Sequence, residues 1–489
     1  MKKLTLILSL FVSQIGFAQL VDYVPGVVRP PSMYDIVKVG KDGTLFRNPY
    51  AKTTRHEAPD TLQKLNADNS IAFTQVFNFE QDENKIAIMI VHDKVYFFTS
   101  VYADKIETLY LRILDNATGK IITDRQKIDS TKGFADYFIS LSNDETKLLI
   151  VSALQHAGKP QTAVANVFDA PTMKVVSTLV LPGTYKDQTI NSYNYFLTDK
   201  GTVFFIIKPN TRDKEIPKTE SFVLWDGKST DFKYLDIAMD KKRVDNSYIK
   251  VKNGTFLYFG VFKDDHLKGE NLPNKAGEFC VSVDLNDFKI TRSDFNYFPE
   301  AMATKLSYKD GERNKDLGDK KFVGTALAET ENGFYLIENL TYTVDVQSGN
   351  NSRSYEYSRE FIISRFDLSG KLEFVKDIPK CTVNNLYGFD YLINKDNLYL
   401  VYCDHPDNLE KYTLENYDAG DYKNVQDYTG PVAVCVKLDS KGNASRQVLY
   451  RNETWCYIPG AGTAASDHKS IVIREVQKDQ YRYSALIIK

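Results

Sequence analysis

Almost nothing in this chain reads as helix, and nothing in it spells a catalytic signature. Only 299–314 and 60–67 carry a helical pattern, which excludes an α/β enzyme whose strands alternate with long amphipathic helices. No Gly-x-Ser-x-Gly, His-Glu-x-x-His or phosphate-loop motif occurs, so an activated serine, a zinc hydrolase and a nucleotide cradle lack their residues. The five cysteines include no Cys-x-x-Cys spacing, and no metal centre or cofactor is expected. Basic and acidic side chains, 62 and 64 of them, nearly cancel to a net charge of -2 without any basic run, which argues against a nucleic-acid partner. Outside 4–12 no stretch is strongly apolar, so no transmembrane segment is expected in the mature chain.

What is present is a repeated β-hairpin. At 359–379 two β-rich runs flank the turn Asp-Leu-Ser-Gly, and the unit recurs at 108–128, 163–181, 220–237, 279–295 and 432–450. Each copy starts with a Val/Ile/Phe/Leu-rich run suited to a half-buried pleat and continues with a run of mixed apolar and polar character. Asp and Gly recur in the turns because a carboxylate caps its own turn and glycine supplies positive φ. A more apolar hairpin precedes each copy, with short polar turns such as Asn143-Asp-Glu-Thr, Thr198-Asp-Lys-Gly, Lys252-Asn-Gly, Glu331-Asn-Gly and Asn394-Lys-Asp. Four strands per unit, at intervals of roughly fifty residues or more, describe a propeller blade.

The fold expected is therefore all-β, a β-propeller of four-stranded antiparallel blades. The periodicity resembles the seven-bladed β-propeller superfamily over 72–489, with six or eight blades as alternatives; no repeated Trp-Asp or Kelch signature accompanies it, so the resemblance implies architecture alone. The last unit, 457–489, has only three strands, and a closed ring needs a fourth from the N-terminal side. The segment 72–79 is the expected donor. Residues 19–71, with Pro25, Pro30 and Pro31, read as an extension or strap on the ring, within which 34–47 has the pattern of a hairpin around Lys41-Asp-Gly.

Residues 1–18 have Lys2 and Lys3, an apolar run and Gly16-Phe-Ala before Gln19, the layout of a cleavable secretory signal. The first cysteine is Cys280, so the cleavage site offers no lipid attachment. The Lys-Lys start and Phe-Ala-Gln junction resemble exported proteins of the Bacteroidota. The chain ends inside its blade pattern, which favours the periplasm over the cell surface or the medium.

Cys381 and Cys456 precede the first strands of adjacent units and are candidates for a disulfide in an oxidising compartment. Cys403 and Cys435 fall on neighbouring strands as buried thiols. Binding candidates come from loop length. The connections 208–219, 263–278, 341–358 and 404–430, together with 299–319, all fall on one face, where loops on a rigid scaffold commonly bind. The loop at 404–430 is acidic and carries Tyr412, Tyr417, Tyr422 and Tyr428, residues that suit protein or sugar contacts. Asp264, Asp265, His266, Asp404 and His405 follow second strands toward the same face. The leading expectation is a non-enzymatic binding or scaffold protein of the cell envelope, holding a protein or glycan on this face. The alternative is a polysaccharide-acting hydrolase or lyase. Its carboxylates would come from different blades, so spacing cannot name them. Oligomeric state stays open.

Overall fold

The computed structural model describes residues 19–26, 28–29, 35–40, 43–48, 51–52, 57–58, 60–66, 70–80, 83–154, 162–181, 184–185, 188–209, 219–226, 231–240, 242–264, 275–306, 309–310, 313–314, 321–348, 351–383, 388–417, 421–425, 432–451, 456–464, 468–477 and 480–489. Eight antiparallel sheets follow one another along the chain, at 35–77, 83–132, 135–181, 188–238, 242–297, 321–383, 390–451 and 456–488, here blades 1 to 8. First strands touch at most of the blade boundaries, including Asp35–Gly40 of blade 1 and Cys456–Ala464 of blade 8, so these strands surround the axis and the ring is closed. The protein is an eight-bladed β-propeller.

The expected count of seven is corrected by blade 1. The predicted hairpin near 34–47 forms, with Asp35–Gly40 paired to Gly43–Asn48, but it is the inner half of a blade. Asp60–Leu65 is a strand where a helical pattern had been read, and Ile71–Phe77 pairs with it as the outer strand. Residues 72–77 therefore serve their own blade and do not complete the last one. A buried ion pair explains why this weakly patterned stretch holds together: the Arg47 Nε donates to both carboxylate oxygens of Asp60 at 3.0 Å, across two paired strands.

The closing strand lies further upstream. Val21–Val24 pairs antiparallel with the last strand, Val21 opposite Ile488 and Val24 opposite Ala485. The side-chain carbonyl of Gln447 in blade 7 accepts from the amides of Leu20 and Val21 at 2.6 and 2.9 Å, and its amide returns a bond to the Val21 carbonyl at 3.0 Å. Tyr23 donates to Glu475 at 3.0 Å and lies 4.8 Å from the ring of Tyr450. Closure by an N-terminal strand is as expected, with a different strand supplying it.

Between closure points the ring is held by side chains. Second and third strands are buried on both faces, as in Thr255–Asp264 and Ala276–Asp284. Each seam between consecutive blades contains an apolar cluster drawn from both, such as Leu149, Val151, Phe205 and Trp225 between blades 3 and 4. The turns behave as their composition implies. Asp115, Asp284, Asp367 and Asp439 each accept backbone N–H groups of their own turn, for example Thr118 at 2.7 Å and Asn286 at 2.8 Å. Gly370 and Gly442 take φ of +83° where these turns close.

Removing 19–24 is expected to strip blade 8 of its outer strand. Amides of Gln480–Ile488 should then lose hydrogen-exchange protection and the protein should associate through the open edge; unchanged protection and a monomeric variant would show that the ring closes without this strand.

Candidate functional site

On the long-loop face the described parts of the loops at 341–358 and 404–430 pair or pack against the ring's own blades. In blade 6 the expected loop at 341–358 is mostly ribbon, because Gly333–Ser348 and Asn351–Asp367 continue pairing out to Ser348 and Asn351. The acidic loop after blade 7's second strand starts at Asp404, which is fully buried. Its carboxylate accepts from the His405 amide at 2.8 Å, the Asn408 side chain at 2.9 Å and the Tyr422 hydroxyl at 2.7 Å. Burial pushes this carboxyl above its ordinary range, and the three donors oppose that shift. His405 caps the short helix Pro406–Lys411, its Nδ1 accepting from the Asp407 amide at 3.2 Å.

The loop tyrosines pack inward. Tyr422 and Tyr417 are 4% and 7% exposed, in a cluster with Cys381 and the partly buried Tyr412. Tyr412 stacks on Tyr422 with ring centres 5.5 Å apart, and Tyr417 donates to Asp377 at 2.6 Å. Lys305, from the helix Glu300–Leu306, lies 3.5 Å above the Tyr417 ring and 2.8 Å from the same Asp377 carboxylate. Burial raises the Asp377 pKa, but the bonds from Lys305 and Tyr417 more than reverse it. The far end of the loop is bound to blade 6: the Val425 amide donates to the Cys381 carbonyl at 2.9 Å and the Val383 amide to the Val425 carbonyl at 3.0 Å. The loop is thus a wedge between blades 6 and 7. Tyr428 lies outside the described residues.

Asp264 accepts from the Tyr297 hydroxyl at 2.8 Å, within its own blade, while Asp265 and His266 lie outside the described residues. Among the described residues no group of three or more His, Cys, Asp and Glu is arranged to hold a metal. Cys381 and Cys456, the disulfide candidates, are both buried thiols, like the other three cysteines. The Cys381 thiol donates to Asn424 and that of Cys456 turns to the Tyr457 carbonyl at 3.5 Å, so each has its own partner.

Concave surface is found on the opposite, tight-turn face. A recess of about 970 Å³ lies among the first strands and turns of blades 5 to 8, lined by Lys250, Glu329, Phe389, Tyr391, Lys395 and His468 among others. A second, of about 750 Å³, spans blades 3 to 6 and includes Asp199, Lys200, Lys252 and Asn286. Glu329 stands between them, 3.0 Å from Lys250 and 2.9 Å from Lys252. Burial raises its pKa and the two lysines more than offset this, so it is an ionised, paired carboxylate unsuited to donating a proton at neutral pH.

The rim of these recesses is fixed by a repeated contact. A carboxylate in the first turn of one blade accepts the backbone amide in the corresponding turn of the blade before: Glu145 from His92 at 2.6 Å, Asp199 from Asp144 at 3.1 Å, Asp396 from Asn332 at 2.9 Å. Loop length gave no hint of this face. The available signal was the Asp, Glu, Asn and Lys content of the first turns, which turn propensity alone explains until the blades are assembled.

The fold defines the class, and sequence comparison goes no further. No family model matches the chain and no curated protein sequence matches it. Among solved structures, the β-propeller domain of the trilobed protease from Pyrococcus furiosus is similar over 86% of this chain and 97% of its own, at 12% identity and a TM-score of 0.39. The polysaccharide lyase Uly1 is similar over 94% of this chain and all of its own, at 10% identity and 0.41. The WD40 domain of SCAP from fission yeast covers 95% and 94%, at 8% identity and 0.43. These are likenesses of chain path and assign no activity.

Tyr417→Ala is expected to cost about 3–5 kcal/mol of stability, as for other large buried aromatics, and Tyr422→Phe about 1–2 kcal/mol through the donor lost from Asp404. The folded pKa of Asp377 is depressed, so its contribution is present above about pH 4 and lost as pH falls through the folded value; Tyr417→Phe should reduce that acid sensitivity. Urea titrations at neutral and acid pH measure all three, and unaltered midpoints would put these tyrosines on the surface.

Proposed function

We propose that the protein is a non-enzymatic binding or scaffold protein of the cell envelope, exported to the periplasm, which holds a protein or glycan partner on the tight-turn face. The observation that carries this reading is the recess beside Glu329. It combines aromatic side chains, Phe389 and Tyr391, with Lys395 and His468 on turns locked to their neighbours. Apolar area with a few placed polar groups is what a ligand site requires, and immobile turns reduce the ordering cost of binding. The long-loop face supports the reading by contrast, since Tyr417 and Tyr422 direct their hydroxyls to Asp377 and Asp404. Export rests on the leader pattern at 1–18, and no helix among the described residues is long and apolar enough to cross a membrane.

A photo-cross-linker placed at Lys395 should capture an envelope component reproducibly in cells, while one at Lys411 on the other face should not. Lys395→Glu with Lys469→Glu should weaken binding of that component at least tenfold, an effect of about 1.4 kcal/mol or more, with melting unchanged. Capture only from Lys411 would place the site on the loop face. Turnover of a polysaccharide by the purified protein would replace the reading with the enzymatic one.

A further inference from the structure

Buried carboxylates in this ring are generally met by donors. Glu83 takes Arg112 and Thr99 at 2.6 Å each, Glu475 takes Arg482 at 2.7 Å, and Asp60 takes Arg47. Two are not. Glu278 and Glu338 are fully buried, and none of their four carboxylate oxygens has a hydrogen-bond partner.

Their positions bring them to one place. On the strand Ala276–Asp284 of blade 5, Glu278 lies between Ala276 and Cys280 on the same face. On Gly333–Ser348 of blade 6, Glu338 lies between Leu336 and Leu340. Cys280 and Leu336 share one apolar cluster with Phe259, Phe334 and Phe366; Ala276 and Leu340 share another with Val261, Phe322 and Ile362. The two glutamates therefore occupy the layer between these clusters, facing each other across the seam of blades 5 and 6.

An ion in that layer has little to stabilise it. The neighbouring Lys263 is bound to Asp245 at 2.9 Å, and Arg292 to Asp294 at 2.6 Å on the outer strand. Lys305, on the adjacent helix, serves Asp377. Cys280 is a neutral thiol held up by burial, Glu360 acts toward Tyr417, and the Ser364 hydroxyl favours the charged form of Glu278 without closing a hydrogen bond. Asp245 adds negative charge to the surroundings of Glu338. Two bare carboxylates in an apolar seam would cost several kcal/mol each.

We propose that Glu278 and Glu338 form a buried proton-binding site, a pair of carboxyls kept protonated at neutral pH that locks the seam between blades 5 and 6 and releases it as they ionise. Burial raises both groups, Glu278 to about 8, with Glu338 raised further by the Glu278 charge. The sign follows from linkage. Above the ordinary value of 4.5 the unfolded chain gives up the Glu278 proton, whereas the folded protein keeps it until about 8, so stability falls as pH rises through that window and levels off beyond it. The same seam carries the Lys250–Glu329 contact at its tight-turn end, so ionisation of the pair would loosen the wall of the recess.

The full-length mature protein would be unfolded in urea at pH 5, 6 and 7, beside Glu278→Gln and Glu338→Gln. With both carboxyls protonated only in the folded state, the folding equilibrium constant should fall about a hundredfold per pH unit in wild type, about tenfold for each carboxyl, and the slope should shrink by about half in either variant. Lys380, lowered to about 7 by burial, acts in the opposite direction above that pH and is common to all three proteins. Infrared spectra of the wild type give a readout independent of variant folding: a protonated-carboxyl band should persist at pH 6. Equal pH slopes in wild type and variants, or no such band, would overturn the proposal. So would a wild-type melting temperature that drops with EDTA and recovers with calcium, since the pair would then hold a metal ion.

Discussion

A propeller depends on one junction that the covalent chain cannot supply. Consecutive blades are joined by connections, most of them short, and by apolar side chains shared across each seam, but blade 8 and blade 1 lie at opposite ends of the sequence. Here the junction is made by backbone hydrogen bonds of Val21–Val24 to the last strand, reinforced from blade 7 by Gln447. The arrangement places the start of the described chain in the sheet of its end, and Phe46 of blade 1 meets Tyr483 of blade 8 at 4.8 Å behind it. The strand thus covers the edge of blade 8 at the seam where the two ends of the chain meet.

How much of this was legible follows from where the energy comes from. The hairpins with an Asp-capped turn were readable because turn chemistry is local: Asp115 or Asp439 closes its turn with amides only two to four residues away. Blade 1 was not, because its cohesion is not local. The Arg47–Asp60 pair joins residues 13 apart through a stretch of short strands, and Leu62 is buried against Phe97 of the next blade. The closing strand was missed for the same reason. Four residues, Val-Asp-Tyr-Val, carry too little periodicity to announce a partner more than four hundred positions away.

The acidic tyrosine loop shows the limit of reading function from loop length. Length and composition identified an unusual element, and the structure gives the reason for its composition in packing terms. Asp404 is a buried acid and Asp377 a half-buried one, and Tyr422, Tyr417, Asn408 and Lys305 are the donors that make their burial tolerable. Tyrosine is suited to this work for the reason it suits interfaces, a large apolar body with a hydroxyl at the tip. Sequence alone cannot separate a surface that an outside partner covers from one that the neighbouring blade covers, since both need the same residue types.

On the other face the physical logic is reversed. Tight turns cannot bury much, so they gain rigidity from the carboxylates that reach back to the preceding blade, as Glu145, Asp199 and Asp396 do. Each such bond is charge-assisted and joins two turns that are already closed, so little additional chain entropy is lost when it forms. The result is a rim of fixed backbone around the recesses, with Glu329 between them paired to both Lys250 and Lys252. A partner that displaced Glu329 from its lysines would have to offer an anion of its own to replace it.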